Sequence, residues 1–262
     1  MIASGAFHVK NGVIMLSGSG DVINIALTIA FSAFLVKWLT PKLGSYAVLL
    51  LPLAVAVVAG GLGQVALPYT KMITGAIGGM VNLLTNLQPL VMEMLMGVAF
   101  VALIVSSISS VGIAMAIGIE GIASGSANLG ITVGAFTLAI MSSKVNGLGT
   151  TIAHFVGTPK IQMANMLKKP KLYIPMMASA GIAGLIGAMF NISGTPNSAG
   201  FGAAGLIGPL AAYKEMTGGP IAILFLIILF VGIPTLLGLM MRYIFIQKLQ
   251  FVRAEDLKVE NK

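Results

Sequence analysis

The stretch LYIPMMASAGIAGLIGAMFNISGTPNSAGFG runs from Leu172 to Gly202. Up to Ile192 it holds no charged residue, and it is long enough for a bilayer, which takes about 20 mainly apolar residues in a helix. It then breaks into Gly, Thr, Pro, Asn and Ser, still without a charge. Irregular backbone beside a span is tolerated only where protein or a wet cavity satisfies its amides and carbonyls. The stretch therefore predicts a membrane helix running into a site-forming break. A near-copy of its motif lies upstream, where Gly157-Thr158-Pro159 matches Gly194-Thr195-Pro196.

Working outward, the whole chain fits a lipid solvent. Of its 262 residues 57% are hydrophobic and 8% charged. A soluble domain carries about 25% charged residues, and the mean hydropathy here is +1.01. The chain is read as an all-α, polytopic transmembrane helix bundle with broken or re-entrant helices. The net charge of +8 belongs to span ends, where basic residues set topology and meet anionic headgroups. Membrane lipids, and not nucleic acid, are the expected partners of that charge. With no cysteine, disulfides, thiolate metal sites and a cysteine phosphoryl carrier are excluded.

Spans are expected at about 22–39, 46–67, 90–117, 172–192 and 220–245. A weaker segment, 72–87, is interrupted by Thr85 and Asn86. The span at 90–117 holds Ser106 to Ser110, with Ser107, in its middle. A break is expected over 118–130, then a helix to about Met141. If 72–87 and 118–142 both traverse, seven crossings result; if both re-enter, five. The first twenty residues, with His8, Lys10 and Asn11, read as a polar or amphipathic lead-in and not as a cleaved signal. Residues 21–245 form the membrane domain. Residues 246–262, ending in Lys262, read as a charged, frayed helical tail. Lysines at 144, 160, 168, 169 and 171, and the basic residues from Arg242 onward, place 143–171 and the C-terminus in the cytoplasm. Each half has two strong spans and a Gly-rich interruption, the trace an internal repeat would leave.

Candidate binding residues sit in the polar gaps. Glu120 lies in an apolar stretch between Gly118 and Gly121, and a carboxylate at depth is a functional candidate by default. Glu93 follows the same logic but sits near a span end, within reach of water. His154 offers one donor and one acceptor when neutral. It has no second ligand at metal spacing, so no metal site is expected. Asn128, Asn146, Gln162 and Asn165 both donate and accept, which suits a polyhydroxylated solute; capping of broken helix ends is the plain alternative. Thr158, Thr195, Asn197 and Ser198 complete the set. Lys160 reads as a mark of the cytoplasmic surface. No nucleophile–base pair is present, so no catalytic residue and no cofactor are expected. Gly200 to Gly205 fits G-x-G-x-x-G, but no strand precedes it and no acidic residue follows at dinucleotide spacing.

Three groups of residues carry a family resemblance: KVNGLGTTIAHFVGTPKIQMAN from Lys144 to Asn165, GTPNSAGFGAAGLIGP from Gly194 to Pro209, and the short runs Asp21 to Asn24 and Gly112 to Gly118. The chain resembles the enzyme IIC-like membrane proteins of the bacterial phosphotransferase system, in the perfringolysin-regulator-type group. The resemblance implies a homodimeric, sugar-translocating subunit in the bacterial cytoplasmic membrane, or a regulator derived from one. It implies that phosphorylation would need separate IIA and IIB proteins. It also implies a Glu and a His in the sugar site, for which Glu120 and His154 are the candidates; the Gly-Ile-Thr-Glu-Pro signature of glucose-type relatives is absent. Against longer relatives the beginning is expected to lack a hydrophobic hairpin. Three functions stay open: a carrier of a small polar solute, a membrane-embedded regulator, and a carrier of a lipid or fatty-acid-like compound.

Overall fold

The computed structural model describes residues 7–10, 13–16, 21–84, 88–106, 108–216 and 218–259. Asn11, Thr85, Asn86, Ser107 and Lys262 lie outside the described residues. After a short antiparallel hairpin, β1 (Phe7–Lys10) with β2 (Val13–Leu16), every element is helical, so the all-α reading holds. The chain packs as two units, Met1–Ile77 and Gly78–Lys262.

The first unit is built on α1 (Val22–Leu43) and α2 (Ala47–Ala54). A π turn, Val55–Ala59, joins α2 to α3 (Gly60–Leu84), which runs past the unit boundary. Asp21 caps α1, its Oδ1 accepting from the Asn24 N–H at 2.8 Å, and so satisfies one orphan amide. Its Oδ2 accepts from the Thr74 hydroxyl at 2.6 Å. Asn24 donates to the Gly63 carbonyl at 2.8 Å and to the Thr70 hydroxyl at 3.2 Å. This polar line ties α1 to α3, while Leu27, Phe34, Leu49 and Leu53 face outward, as a lipid-facing surface requires.

The second unit centres on α6 (Gly121–Ser142), in which every residue from Ala123 to Ser142 is buried. Around it pack α4 (Pro89–Ile104), α7 (Leu148–Val156), α9 (Tyr173–Met189) and α12 (Ile233–Met241). Close approach is possible because glycines meet backbone. A Cβ on Gly130 of α6 would lie 2.5 Å from the Gly97 Cα of α4, and one on Gly97 would lie 2.5 Å from the Ala180 carbonyl oxygen of α9. Small residues at crossings are how helices associate in lipid, where apolar burial gives little drive.

Four sequence expectations change. The weak segment 72–87 is no separate crossing: through Leu84 it continues α3, whose helix the glycines do not interrupt. The span 90–117 is broken, because the serine run ends α4 and Ser109 caps α5 (Ser110–Ile117), its Oγ accepting from the Gly112 N–H at 3.0 Å. The break after Gly118 ends at Glu120, and 121–130 is helix; its Gly and Ser residues are packing contacts. The tail is no frayed helix. Beyond Lys248 it folds back through a 3-10 turn, Ala254–Leu257, with Val252 and Leu257 in the core.

Among the described residues five helices are long and apolar enough to cross a membrane: Ile23–Leu43, Ala47–Met80, Gly121–Ser142, Pro170–Met189 and Pro220–Lys248. The chain is a multi-pass membrane protein. Two stretches follow one order, a long helix, a break, a short helix and a long helix: α4, α5 and α6 in the first, and in the second α9, α10 (Ile207–Glu215) and the run Pro220–Lys248, in which α11 (Pro220–Ile227) continues into α12.

Candidate functional site

The two breaks meet. Gly121, at the start of α6, and Gly194, after α9, form an antiparallel bridge with both N–H···O bonds at 2.9 Å. Gly121 has φ +64°, and a Cβ on Gly194 would lie 2.6 Å from the Ser124 Oγ. A side chain is thus disfavoured by the backbone at Gly121 and by crowding from Ser124 at Gly194. By this pairing Glu120 and Thr195 are the next residues out on the two strands. Glu120 is exposed, at a chain break and not at depth among apolar side chains.

The loop after Gly194 is laced to α5 and α6. The Ser124 hydroxyl donates to the Thr195 carbonyl at 2.9 Å, and Ser110 donates to the Gly200 carbonyl at 2.8 Å. The Thr195 N–H donates to the Ser198 Oγ at 2.9 Å. Asn128 accepts from the Gly202 N–H at 3.0 Å. Its Nδ2 is buried without a hydrogen-bond partner among the described residues. A buried amide donor left free marks a place where a ligand or water belongs. Asn128, Thr195 and Ser198 thus belong to the loop's hydrogen-bond network, Glu120 flanks the bridge opposite Thr195, and Asn197 is exposed.

The other predicted residues lie elsewhere. Asn146 donates to the Leu257 carbonyl at 3.0 Å and accepts from the Val259 N–H at 2.8 Å. Gln162 donates to the same carbonyl at 2.9 Å and accepts from Asn165 at 2.8 Å. These amides clamp the tail. Thr158 caps the 3-10 turn Pro159–Gln162 that leads into α8 (Met163–Lys168), accepting from the Lys160 N–H at 3.2 Å. The His154 Nδ1 lies 2.7 Å from the Thr150 carbonyl and so carries the proton, while Nε2 is buried and unpartnered. Burial holds the imidazole below its ordinary pKa despite that carbonyl, so the ring is neutral at physiological pH. No hydrogen bond joins His154 to Glu120 among the described residues. Lys160 does more than mark a surface: its ammonium donates to the Ile108 carbonyl at 3.2 Å, in the break between α4 and α5.

Sequence reasoning passed over Ser110 and Ser124, which anchor the loop. Only their place in serine-containing runs near the breaks hinted at them. It also placed Glu93 near water, whereas Glu93 is 1% exposed.

An ion-pair pin fixes the tail. Lys169 and Lys171 both reach Asp256, at 2.5 and 3.3 Å. Burial alone would raise the Asp256 carboxyl. Bonds from Lys169, the Arg253 N–H and Lys171 outweigh it and hold the group below the ordinary carboxylate range. A lowered native pKa stabilises docking fully above that range and loses the effect as pH falls through the lowered value. Trypsin cleavage at Arg253, taken at each pH as a ratio to an unstructured peptide of the same sequence, is therefore expected to be slow and constant across neutral to mildly acidic pH. Asp256→Ala is expected to accelerate it several-fold; equal rates would show that the ion pairs do not hold the tail.

A separate cavity of about 550 Å³ is lined by Phe136, Phe155, Leu206, Tyr213, Ile227 and Phe230, among others, and is almost wholly apolar.

Paired breaks beside a buried helix are an architecture found in membrane transport proteins. A family model described as "Phosphotransferase system, EIIC" matches residues 1–259, and the chain belongs to that family. Its members work with IIA- and IIB-type partners. No curated protein and no solved structure matches.

Proposed function

We propose that this phosphotransferase-type membrane subunit translocates a small polar solute, a sugar, by alternating access around the junction of 118–120 with 193–206. The observation that carries the reading is the free, buried Nδ2 of Asn128 beside the bridged breaks. Broken helices at a bundle's middle bind solutes because their backbone ends and amides are not spent on the helix. Glu120, Thr195, Asn197 and Ser198 supply hydroxyl-matching acceptors and donors; His154, Thr158, Asn146 and Gln162 belong to a cytoplasmic layer that the tail closes. The domain is 21–245, flanked by the lead-in and the tail. We place the chain in a bacterial cytoplasmic membrane as a homodimer, with its C-terminus inside and separate IIA and IIB proteins performing any phosphorylation.

Proteoliposomes should take up at least one labelled sugar. Glu120→Gln should cut that uptake at least about tenfold, the effect of losing ~1.4 kcal/mol of binding. A broad sugar panel that neither binds nor crosses would sink the reading. The apolar cavity favours one alternative, a lipid or fatty-acid carrier, since pockets of about 300–1,000 Å³ suit single small ligands. Tight acyl-chain binding with no sugar binding would decide for it.

A further inference from the structure

Glu93 sits where α4, α6 and α9 converge. It is 1% exposed, and neither carboxyl oxygen has a hydrogen-bond partner among the described residues. Its backbone is in contact range of Gly184, where a Cβ would meet the Glu93 carbonyl and lie 3.1 Å from the Met94 Cα. The Ser126 hydroxyl on α6 lies beside the carboxyl but donates to the Gly184 carbonyl at 3.3 Å.

No counter-charge is at hand. Glu93 is the sole Asp, Glu, Lys, Arg or His on α4, α5, α6 and α9. The other titratable group on these helices is the Tyr173 phenol, at the far end of α9, about 16 Å along the helix from Gly184 by helical rise. An unpaired carboxylate buried this way costs several kcal/mol, and the group neutralises instead.

We propose that Glu93 is a proton-binding site of the membrane core: it holds a proton while α4, α6 and α9 are packed as here, and releases it to water when the three helices part. One proton leaves the carboxyl oxygen, and the carboxylate is then solvated in the opened seam. Closure takes the proton back. Helix movement at this seam is thereby linked to proton uptake. The inference rests on the local packing and not on the identity of the solute.

The test uses the full chain in membranes. Dicyclohexylcarbodiimide adds to protonated carboxyls in apolar surroundings. It should modify Glu93 at neutral pH, as mapped by peptide mass spectrometry, and the adduct should be lost at alkaline pH. A water-soluble carbodiimide should leave Glu93 untouched. Because the chain has no cysteine, Ser126→Cys supplies a single reporter thiol in the seam. Its maleimide labelling should rise with pH more steeply with Glu93 present than in Glu93→Gln. An unmodified Glu93 would overturn the proposal without any variant being needed. So would identical labelling profiles in the two backgrounds. Adduct formation suppressed by sodium at constant pH would assign the carboxylate to a metal cation and overturn the proton reading too.

Discussion

Gly130→Val is expected to yield no monodisperse protein in detergent. Gly130 lies in the most buried helix, and a Cβ there would fall 2.5 Å from the Gly97 Cα and 2.6 Å from the Gly97 oxygen. Those are backbone atoms of α4, so no rotamer change relieves the overlap. In this packed state α4 has no room to give way, because Gly97 is itself seated against the Ala180 carbonyl of α9. Overpacking commonly costs about 1–3 kcal/mol; here three helices must separate, and the upper end or beyond is expected. Gly130→Ala sets the same Cβ against the same backbone and should also lower the melting temperature markedly, though less than valine, which adds two methyls. Gly149→Ala, where a Cβ meets nothing within 4 Å, should change little. Size-exclusion profiles and melting curves check all three. A wild-type profile for Gly130→Val would mean that the close seam of α4, α6 and α9 does not exist.

Asn128→Leu is expected to unfasten the loop while leaving the helices intact. Leucine removes the acceptor for the buried Gly202 N–H, and an orphaned buried donor costs about 1–3 kcal/mol. The neighbouring Gly208 leaves little room, since a Cβ there would already lie 3.1 Å from Asn128. Loop and α10 should shift together. The substitution also deletes the free Nδ2, so solute binding should be lost outright. A cysteine at Ala199, fully buried in the wild type, should become reactive in the Asn128→Leu background. Ser110→Ala, which loses one bond to the Gly200 carbonyl, should give a weaker form of the same effect, about 1 kcal/mol. Unchanged reactivity at Ala199 would remove Asn128 as the loop's anchor.

Much of this was legible from local pattern. Apolar length gave α1, α9 and the final helix nearly to their ends. Gly194-Thr195-Pro196 announced its break because Gly and Pro there stand in a cluster with Thr, Asn and Ser, the composition of a loop. The failures share a cause: small polar residues do not say whether they interrupt a helix or pack it. Gly125, Ser126 and Gly130 read as a break, yet they let neighbouring backbones approach. Ser106 to Ser110 read as span interior, yet that run ends α4. Only the partner across the seam separates the two cases. For the site, Glu120, Asn128 and Thr195 were identifiable as residues, but not that Glu120 stands opposite Thr195 and Asn128 holds Gly202, because the Gly121–Gly194 bridge joins distant parts of the chain. Asn146 and Gln162 looked like solute ligands because an amide's sequence does not reveal that a tail will occupy it. The resemblance in 144–165 and 194–209 pointed to the family that the whole-length match establishes.

The central claim is that the paired breaks open to water within the membrane domain. The chain lacks cysteine, so single thiols introduced at Glu120 and Asn197 can be probed in native membranes with a hydrophilic maleimide, with Val133, fully buried in α6, as the control. The account predicts labelling at 120 and 197, none at 133, and protection at both sites by a transported sugar. Thiols at 120 and 197 that stay as unreactive as the one at 133, with and without solute, would contradict it.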